Sequence, residues 1–431
     1  MNVCIKSFLV LSLLLPAAEL SAQNAPESAG SEKDMNRLMD EVKNKAEDLV
    51  KSGFTAGDGY GEVWIRDFNT FIEVACQVND RELIRRHLLT FFRFQQEDGQ
   101  IVDGYIPAGK ASAGYEYIYS RLAPEYAGHK NTVETDQESS LVQALARYVR
   151  ATGDEEILEE EIGGINVETR LEMALDFLFS ERFNQEYGLI WGATTADWGD
   201  VQPEHPWGVE LDSNSHLAID IYDNAMLLIA LQDFLEIALP EGNADAKWLN
   251  RKKALEKNIR KHLWDRSRGQ FRPHIYLDGS PFPATFDEEA IYYHGGTAVA
   301  IEAGLLSRKE VKEAYARMQQ NVRESGAASI GLTLYPVYPE GFFLNKSMGP
   351  YSYQNGGDWT WFGARMVTQL ARYGFLSEAK AALRPMLERV VDNDGFYEWY
   401  SRENQPRGSG SFRGSAGVLW TAIKALESKA E

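Results

Sequence analysis

Apolar residues recur at i, i+3, i+4 and i+7 through nearly the whole chain, and the connections between the resulting segments alternate in length. The spacing predicts about twelve helices, near residues 35–51, 66–78, 81–96, 136–152, 167–183, 213–239, 244–263, 295–305, 307–323, 357–373, 376–391 and 412–428. Almost no stretch alternates apolar and polar residues as a half-buried strand does. After even-numbered helices the links are mostly short: Asn79-Asp80, 240–243, Leu306 and Gly374-Phe375, with 153–166 the longest. Before even-numbered helices, the first link aside, they run to roughly 20–40 residues, against a usual median of about 4–6.

A short link makes two consecutive helices an antiparallel hairpin. Six such hairpins can close into an all-α, double-layered (α/α)6 toroid, with every long loop on one face at the N-termini of the even helices. Long ordered loops tend to carry function, and helix N-termini offer unpaired N–H groups to polar ligands. An open solenoid is the competing arrangement, but the fixed sequence period of a solenoid is missing. The expected organisation is a leader over 1–22, a flexible linker over 23–33, and one domain over 34–431.

The leader reading rests on Lys6, the short apolar run over 8–15, and the small pair Ser21-Ala22 before Gln23. It implies export to a periplasm or the exterior, with no membrane insertion once the leader is removed. The 431 residues are 44% hydrophobic and 25% charged, which suits a globular domain. A net charge of −20 argues against nucleic acid or an anionic membrane as partner. Beyond the leader Cys76 is the single cysteine, expected in the core, so no intramolecular disulfide forms. Metal-type Cys/His spacings, a P-loop and a dinucleotide-type glycine pattern are absent, so no metal or cofactor is expected.

Polar clusters fall where the even helices begin. Trp64 followed by Arg66-Asp67 suits stacking plus a fixed hydrogen-bonding pair for hydroxyl groups, or equally a capping Asp with a structural ion pair. Asp136, within the polar run 135–140, reads as a polar ligand contact or an N-cap. Asp197-Trp198-Gly199-Asp200, with Asp212 beyond it, places carboxylates around a Trp in a loop. Tyr353-Gln354-Asn355-Gly356-Gly357-Asp358-Trp359 joins a Gly-Gly turn, which permits close backbone approach, to aromatic residues. Glu398 stands among Phe396, Tyr397, Trp399 and Tyr400, a partly dry setting that tunes a carboxyl group. Aromatic faces with two carboxyl groups are what glycoside hydrolysis needs. His294 reads as a hydrogen-bonding residue at a helix start, or as the base of a lyase or epimerase.

In these motifs the chain resembles the six-hairpin glycosidase clan, from about Gly61 to Leu426. The segment 64–67 is similar to the W-x-R-D element of glycogen-debranching enzymes and neutral invertases, whose Arg-Asp grips the terminal sugar. The segment 135–140, with Thr152-Gly153-Asp154 later, resembles their next inner helix. Residues 195–212 resemble the general-acid loop of debranching enzymes, processing α-glucosidases and trehalases. Residues 353–359 are similar to an invertase element, and 396–400 to the segment carrying the base.

The resemblance implies an inverting, exo-acting α-glycosidase on oligosaccharides, with Glu398 as base and Asp197 as acid; Asp200 and Asp136 are rivals for the acid. It also implies sugar contacts by Trp64, Arg66, Asp67, Asp136, Trp198, Asp212, His294, Tyr353, Asn355, Gly356, Gly357, Trp359 and Trp399. Exo-α-mannosidase or invertase-like hydrolysis, a non-catalytic glycan receptor, and a lyase or epimerase on the same toroid are the alternatives.

Overall fold

The structure, a computed structural model, describes residues 25–111, 116–238 and 246–430, without the side chains of 25–31 and 430. It contains twelve α-helices among the described residues. They are α1 (Ala25–Lys51), α2 (Ile65–Val78), α3 (Arg81–Phe94), α4 (Gln137–Thr152), α5 (Val167–Glu181) and α6 (Ile221–Ile237). The second half adds α7 (Ala246–Asn258), α8 (His294–Glu302), α9 (Arg308–Ser325), α10 (Thr360–Arg372), α11 (Leu376–Asp392) and α12 (Arg413–Ala430).

Two kinds of helix follow from two kinds of pattern. In α10 every residue from Thr360 to Ala371 is buried, and in α8 every residue from His294 to Ile301. Helices buried on all sides are surrounded by protein, and the buried Arg365 of α10 is paired with Glu302 of α8. By contrast α9 buries only Val311, Ala314, Tyr315, Met318, Asn321 and Ser325, one stripe at helical spacing. The even helices pack on one another in the order α2, α4, α6, α8, α10, α12, and α12 returns to α2. Odd helices lie against this ring: α3 on α2 and α4, α5 on α4, α7 on α6, α9 on α8, and α11 on α10 and α12. A cavity of about 360 Å³ is lined by all six even helices, through Glu73, Arg147, Asp233, Glu302, Arg365 and Thr421 among others, so they share one axis.

Local signals set the helix ends. Ser307 and Glu310 form a reciprocal capping box on α9, and Gly326, at φ +76°, ends that helix. Helix α6 begins at Ile221, later than the expected residue 213: Leu217–Ile219 is a strand, and Asp220 caps the helix by accepting from Asp223 N–H at 2.8 Å. The expected linker is corrected from residue 25 on. Helix α1 already runs there, and Lys380–Glu32 and Arg384–Asp34 ion pairs tie its start to α11. The leader and the 240–243 link lie outside the described residues. Cys76 is half-buried rather than in the core, with its thiol pushed up to about 12 by burial.

The helix-rich expectation is met by the twelve helices, and short strands accompany them. The long connections form short antiparallel ladders, too brief for a period-2 pattern to show in sequence. Val63–Trp64, Gly104–Pro107, Tyr126–His129 and Tyr117–Ile118 make a four-stranded sheet, and Tyr397–Tyr400 pairs with Pro406–Gly410. These ladders stiffen the loops on the face where the even helices begin. Among the described residues no helix is long and apolar enough to cross a membrane.

Candidate active site

A cavity of about 200 Å³ opens on that face, walled by loops preceding α2, α4, α6, α10 and α12. Glu398 enters it from the strand Tyr397–Tyr400, where burial alternates: Glu398 and Tyr400 are buried, Tyr397 and Trp399 half-buried. The period-2 geometry of a strand makes the two pairs face opposite ways. Ser409 N–H donates to Glu398 Oε2 at 2.8 Å, and the Tyr60 hydroxyl donates to Oε1 at 3.0 Å. Gly408 permits this approach, since a Cβ there would meet Oε2 at 2.3 Å. Burial raises the Glu398 carboxyl above its ordinary value, the two donors pull it back, and the charge of Asp200 raises it again.

Asp200 lines the same cavity, and its Oδ1 accepts from Gln354 Nε2 at 2.7 Å. Arg66 and Asp67 sit in the first turn of α2. The Arg66 guanidinium donates to Asp136 through Nε at 2.7 Å and Nη2 at 3.2 Å, and also contacts Glu134. Burial works against its charge, but Asp136 together with Tyr222 and Asp103 outweighs burial and holds the guanidinium firmly protonated. Among the described residues Asp67 Oδ1 and Glu134 Oε1 find no hydrogen-bond donor, although both atoms are buried. Burial pushes Asp67 up to about 7, against the pull of Arg66 and with repulsion from Glu398. Asp103, in the same wall, is likewise pushed up to about 7 by burial.

Aromatic residues complete the wall. Trp198 packs edge-on against Trp359 at 4.6 Å and Trp361 at 5.2 Å. Among the described residues the buried indole N–H groups of Trp64, Trp198 and Trp361 find no acceptor, while that of Trp359 donates to Tyr353 O at 3.0 Å. Flat apolar faces beside open carboxylate acceptors and indole donors match a polyhydroxylated ring, whose faces are apolar and whose rim makes hydrogen bonds.

Of the residues singled out in sequence, Trp64, Arg66, Asp67, Trp198, Asp200, Tyr353, Trp359 and Glu398 meet in this cavity. Others do not. Asp197 points away: its Oδ2 accepts from Gly295 N–H at 2.7 Å and its Oδ1 from Gly296 N–H at 2.8 Å, so it caps α8. Burial raises its carboxyl well above the ordinary range, and the two amides oppose this. Asp136 is fully buried behind Arg66, where it also accepts from the Tyr222 hydroxyl at 2.9 Å. It is a fixed counter-ion rather than a wall residue. Asp212 is exposed in its loop and pairs with His205 at 3.0 Å.

His294 is buried against Asn321 Nδ2 at 3.0 Å and Ile330 O at 3.3 Å, and burial lowers it to about 4. A neutral imidazole outside the cavity wall cannot serve as the base there. Asn355 is consumed by backbone: it accepts from Tyr338 N–H at 2.8 Å and donates to Tyr338 O at 3.0 Å and Met348 O at 2.9 Å. Gly356 and Gly357 make a tight turn against protein instead of ligand. A Cβ at Gly357 would meet Tyr353 O at 2.2 Å, and Gly356 has φ +88°. Trp399 takes the outward side of its strand and packs on Tyr353 at 6.2 Å.

Sequence reading missed Tyr60, Asp103, Glu134, Gln354 and Trp361 as wall residues. A signal existed for one of them. Asp103 follows Ile101-Val102 directly, and a carboxylate inside an apolar run needs a reason to be there.

Solved structures of glycoside hydrolases are similar in fold. The glycoside hydrolase family 63 mannosylglycerate hydrolase from Thermus thermophilus, in complex with glucose, is 16% identical over 88% of this chain and 99% of its own, with a TM-score of 0.62. The same hydrolase with Tris and D-glycerate is 17% identical over the same shares, with a TM-score of 0.64. A rhamnosidase from Klebsiella oxytoca with rhamnose bound is 14% identical over 89% of this chain and 63% of its own, with a TM-score of 0.56. No curated protein matches the chain. Residues 41–357 match the catalytic domain of the glycosyl hydrolase 94 superfamily, a span that includes Arg66, Asp67 and Asp200 and stops short of Glu398. The chain therefore belongs to the glycosyl hydrolase 94 superfamily, a glycoside hydrolase of the six-hairpin clan.

Proposed function

We propose that this protein is an inverting, exo-acting hydrolase of α-linked oligosaccharides on an (α/α)6 toroid, with Glu398 as general base and Asp200 as general acid. The observation that carries the reading is the presence of Glu398 and Asp200 in one tryptophan-lined cavity. The cyclic packing of the even helices supports the toroid, and one contiguous core from Met35 to Leu426 supports a single domain. The modest cavity suits a chain end. Glucose and rhamnose in the solved structures of similar fold are consistent with a pyranose ring there. The apolar run over 8–15, beside Lys6, supports export.

The chemistry follows from the positions. Tyr60 and Ser409 donate to Glu398, which favours its ionised form and so its use as a base. Water held by Glu398 gives it a proton while the water oxygen bonds to the anomeric carbon. The C–O bond to the leaving sugar breaks with its electron pair on oxygen, and Asp200 protonates that oxygen. Trp64 and Trp359 offer stacking faces, while Asp67, Asp103 and Glu134 accept from ring hydroxyls. Among the described residues Arg66 is the only lysine or arginine of the wall, and Asp136 and Glu134 already engage it, so an uncharged sugar fits better than an anionic one.

Proton NMR of the first product released tests the mechanism: an α-linked substrate must give the β-anomer first. Glu398→Gln is expected to lower turnover by about 10²–10⁴-fold, the usual contribution of general acid–base catalysis, with substrate affinity by calorimetry largely kept. Retention of the α-configuration, or unchanged turnover in Glu398→Gln, refutes the assignment.

A further inference from the structure

Asp197 lies three residues before Asp200 and outside the cavity, yet its surroundings are built around its carboxylate. It is 2% exposed and adopts φ +59°, a left-handed conformation that aspartate takes up more readily than most residues other than glycine. Its carboxylate takes the first two amides of α8 after His294. The glycines there are needed for the contact. A Cβ at Gly295 would meet Asp197 Oδ2 at 2.6 Å and Trp198 Cδ1 at 2.8 Å, and one at Gly296 would meet Asp197 Oδ1 at 2.9 Å.

The neighbouring residues transmit this anchor. Thr195 Oγ1 donates to Asp197 O at 3.1 Å, and Thr195 O accepts from the Tyr293 hydroxyl at 3.3 Å. On the other side Trp198 is wedged against Trp359 and Trp361, and Asp200 is held by Gln354. Three residues span at most about 10 Å, so a pinned Asp197 leaves Asp200 little freedom. Of the loops that precede the even helices, only the one before α8 supplies no cavity wall among the described residues. The N-terminus of α8 instead receives the loop that carries Asp200.

We infer that Asp197 is a positioning residue, which docks the loop bearing Asp200 on the Gly295-Gly296 end of α8 and so aims Asp200 at the leaving oxygen. This rests on Asp200 being the general acid. A misaimed acid hurts only those reactions whose leaving group needs a proton. General loosening of the fold harms all substrates alike.

The experiment compares an α-linked disaccharide of glucose, whose leaving alcohol needs protonation, with α-glucosyl fluoride, whose leaving group does not; should glucose not be accepted, the same pair is used for the sugar that is. Asp197→Asn is expected to lower turnover of the disaccharide by about 10²-fold and of the fluoride by less than about threefold, with the alkaline limb of kcat/KM against pH displaced. Gly295→Ala, which presses on the same contact from α8, is expected to give the same pattern and serves if Asp197→Asn does not fold. Asp200→Asn is the reference. If Asp200→Asn slows the disaccharide selectively but Asp197→Asn and Gly295→Ala slow both substrates equally, or neither, the positioning role is overturned. If Asp200→Asn itself shows no selectivity, the acid assignment fails, and the inference falls with it.

Discussion

Tyr60 and Glu398, 338 residues apart, are joined by a hydrogen bond of 3.0 Å from the phenol to Oε1. One precedes the first inner helix and the other the last, so the contact lies where α12 returns to α2. The carboxylate of the proposed base is thus set by closure of the ring.

Removing that donor has a defined sign. The Tyr60 hydrogen bond lowers the Glu398 carboxyl, so Tyr60→Phe raises it. A hydrogen bond to a charged group contributes about 1.5–3 kcal/mol, or roughly one to two pH units. The acid limb of kcat/KM is expected to move to higher pH by about one unit in Tyr60→Phe, with the alkaline limb unmoved. A pH profile of wild type and mutant checks this, and coincident acid limbs refute it.

Asp103 links stability to pH. Burial holds its carboxyl at about 7 in the folded chain, against an ordinary aspartate value of 3.8. Between those values the folded state keeps a proton that the unfolded state has lost. Stability from this group is therefore full at low pH and declines as pH rises through the window. Asp103→Asn, neutral at every pH, is expected to melt about 2 °C or more above wild type at pH 8 and level with it at pH 4. Activity is expected to fall in the same mutant, since an acceptor for sugar hydroxyls is lost. Melting curves at the two pH values decide it, and a stabilisation that is equal at both excludes the linkage.

Trp64 and Trp399 separate stacking from packing. Trp64 faces the cavity, whereas Trp399 takes the outward side of its strand. Trp64→Ala is expected to raise KM about tenfold or more, which corresponds to about 1.4 kcal/mol of binding. Trp399→Ala is expected to lower the melting temperature while leaving KM within about threefold, because its loss empties a packing contact. Steady-state kinetics beside thermal melts distinguish the two, and a comparable KM rise in both would show that Trp399 also reaches the sugar.

Asp136 and Arg66 form a buried pair whose loss is costly. Asp136→Ala leaves the guanidinium with Glu134 alone, and breaking a buried pair costs about 3–5 kcal/mol. Chemical denaturation is expected to show a loss toward the lower end of that range, because Glu134 remains. A loss under about 1 kcal/mol would mean that Asp136 does not hold Arg66 in solution.

Much of this protein is written locally. Whether a segment is helical depends on side chains a few residues apart, so all twelve helices, and the alternation of short and long connections, could be read from apolar spacing alone. The same holds for the segments that reach the cavity: 64–67, 198–200, 353–359 and Glu398 stand in short polar and aromatic runs at helix starts. Which member of each run faces inward was decided elsewhere. Glu398 rather than Trp399 points in because strand pairing with Pro406–Gly410 sets the face. Asp200 rather than Asp197 lines the cavity because Asp197 finds two amide donors 98 and 99 residues further along the chain. Tyr60, Asp103 and Glu134 enter the wall only once the ring closes around them. A carboxylate's neighbours in sequence fix its backbone, but its hydrogen-bond donors and its burial come from distant segments, and those settle whether it caps a helix, pairs with an arginine or meets a substrate.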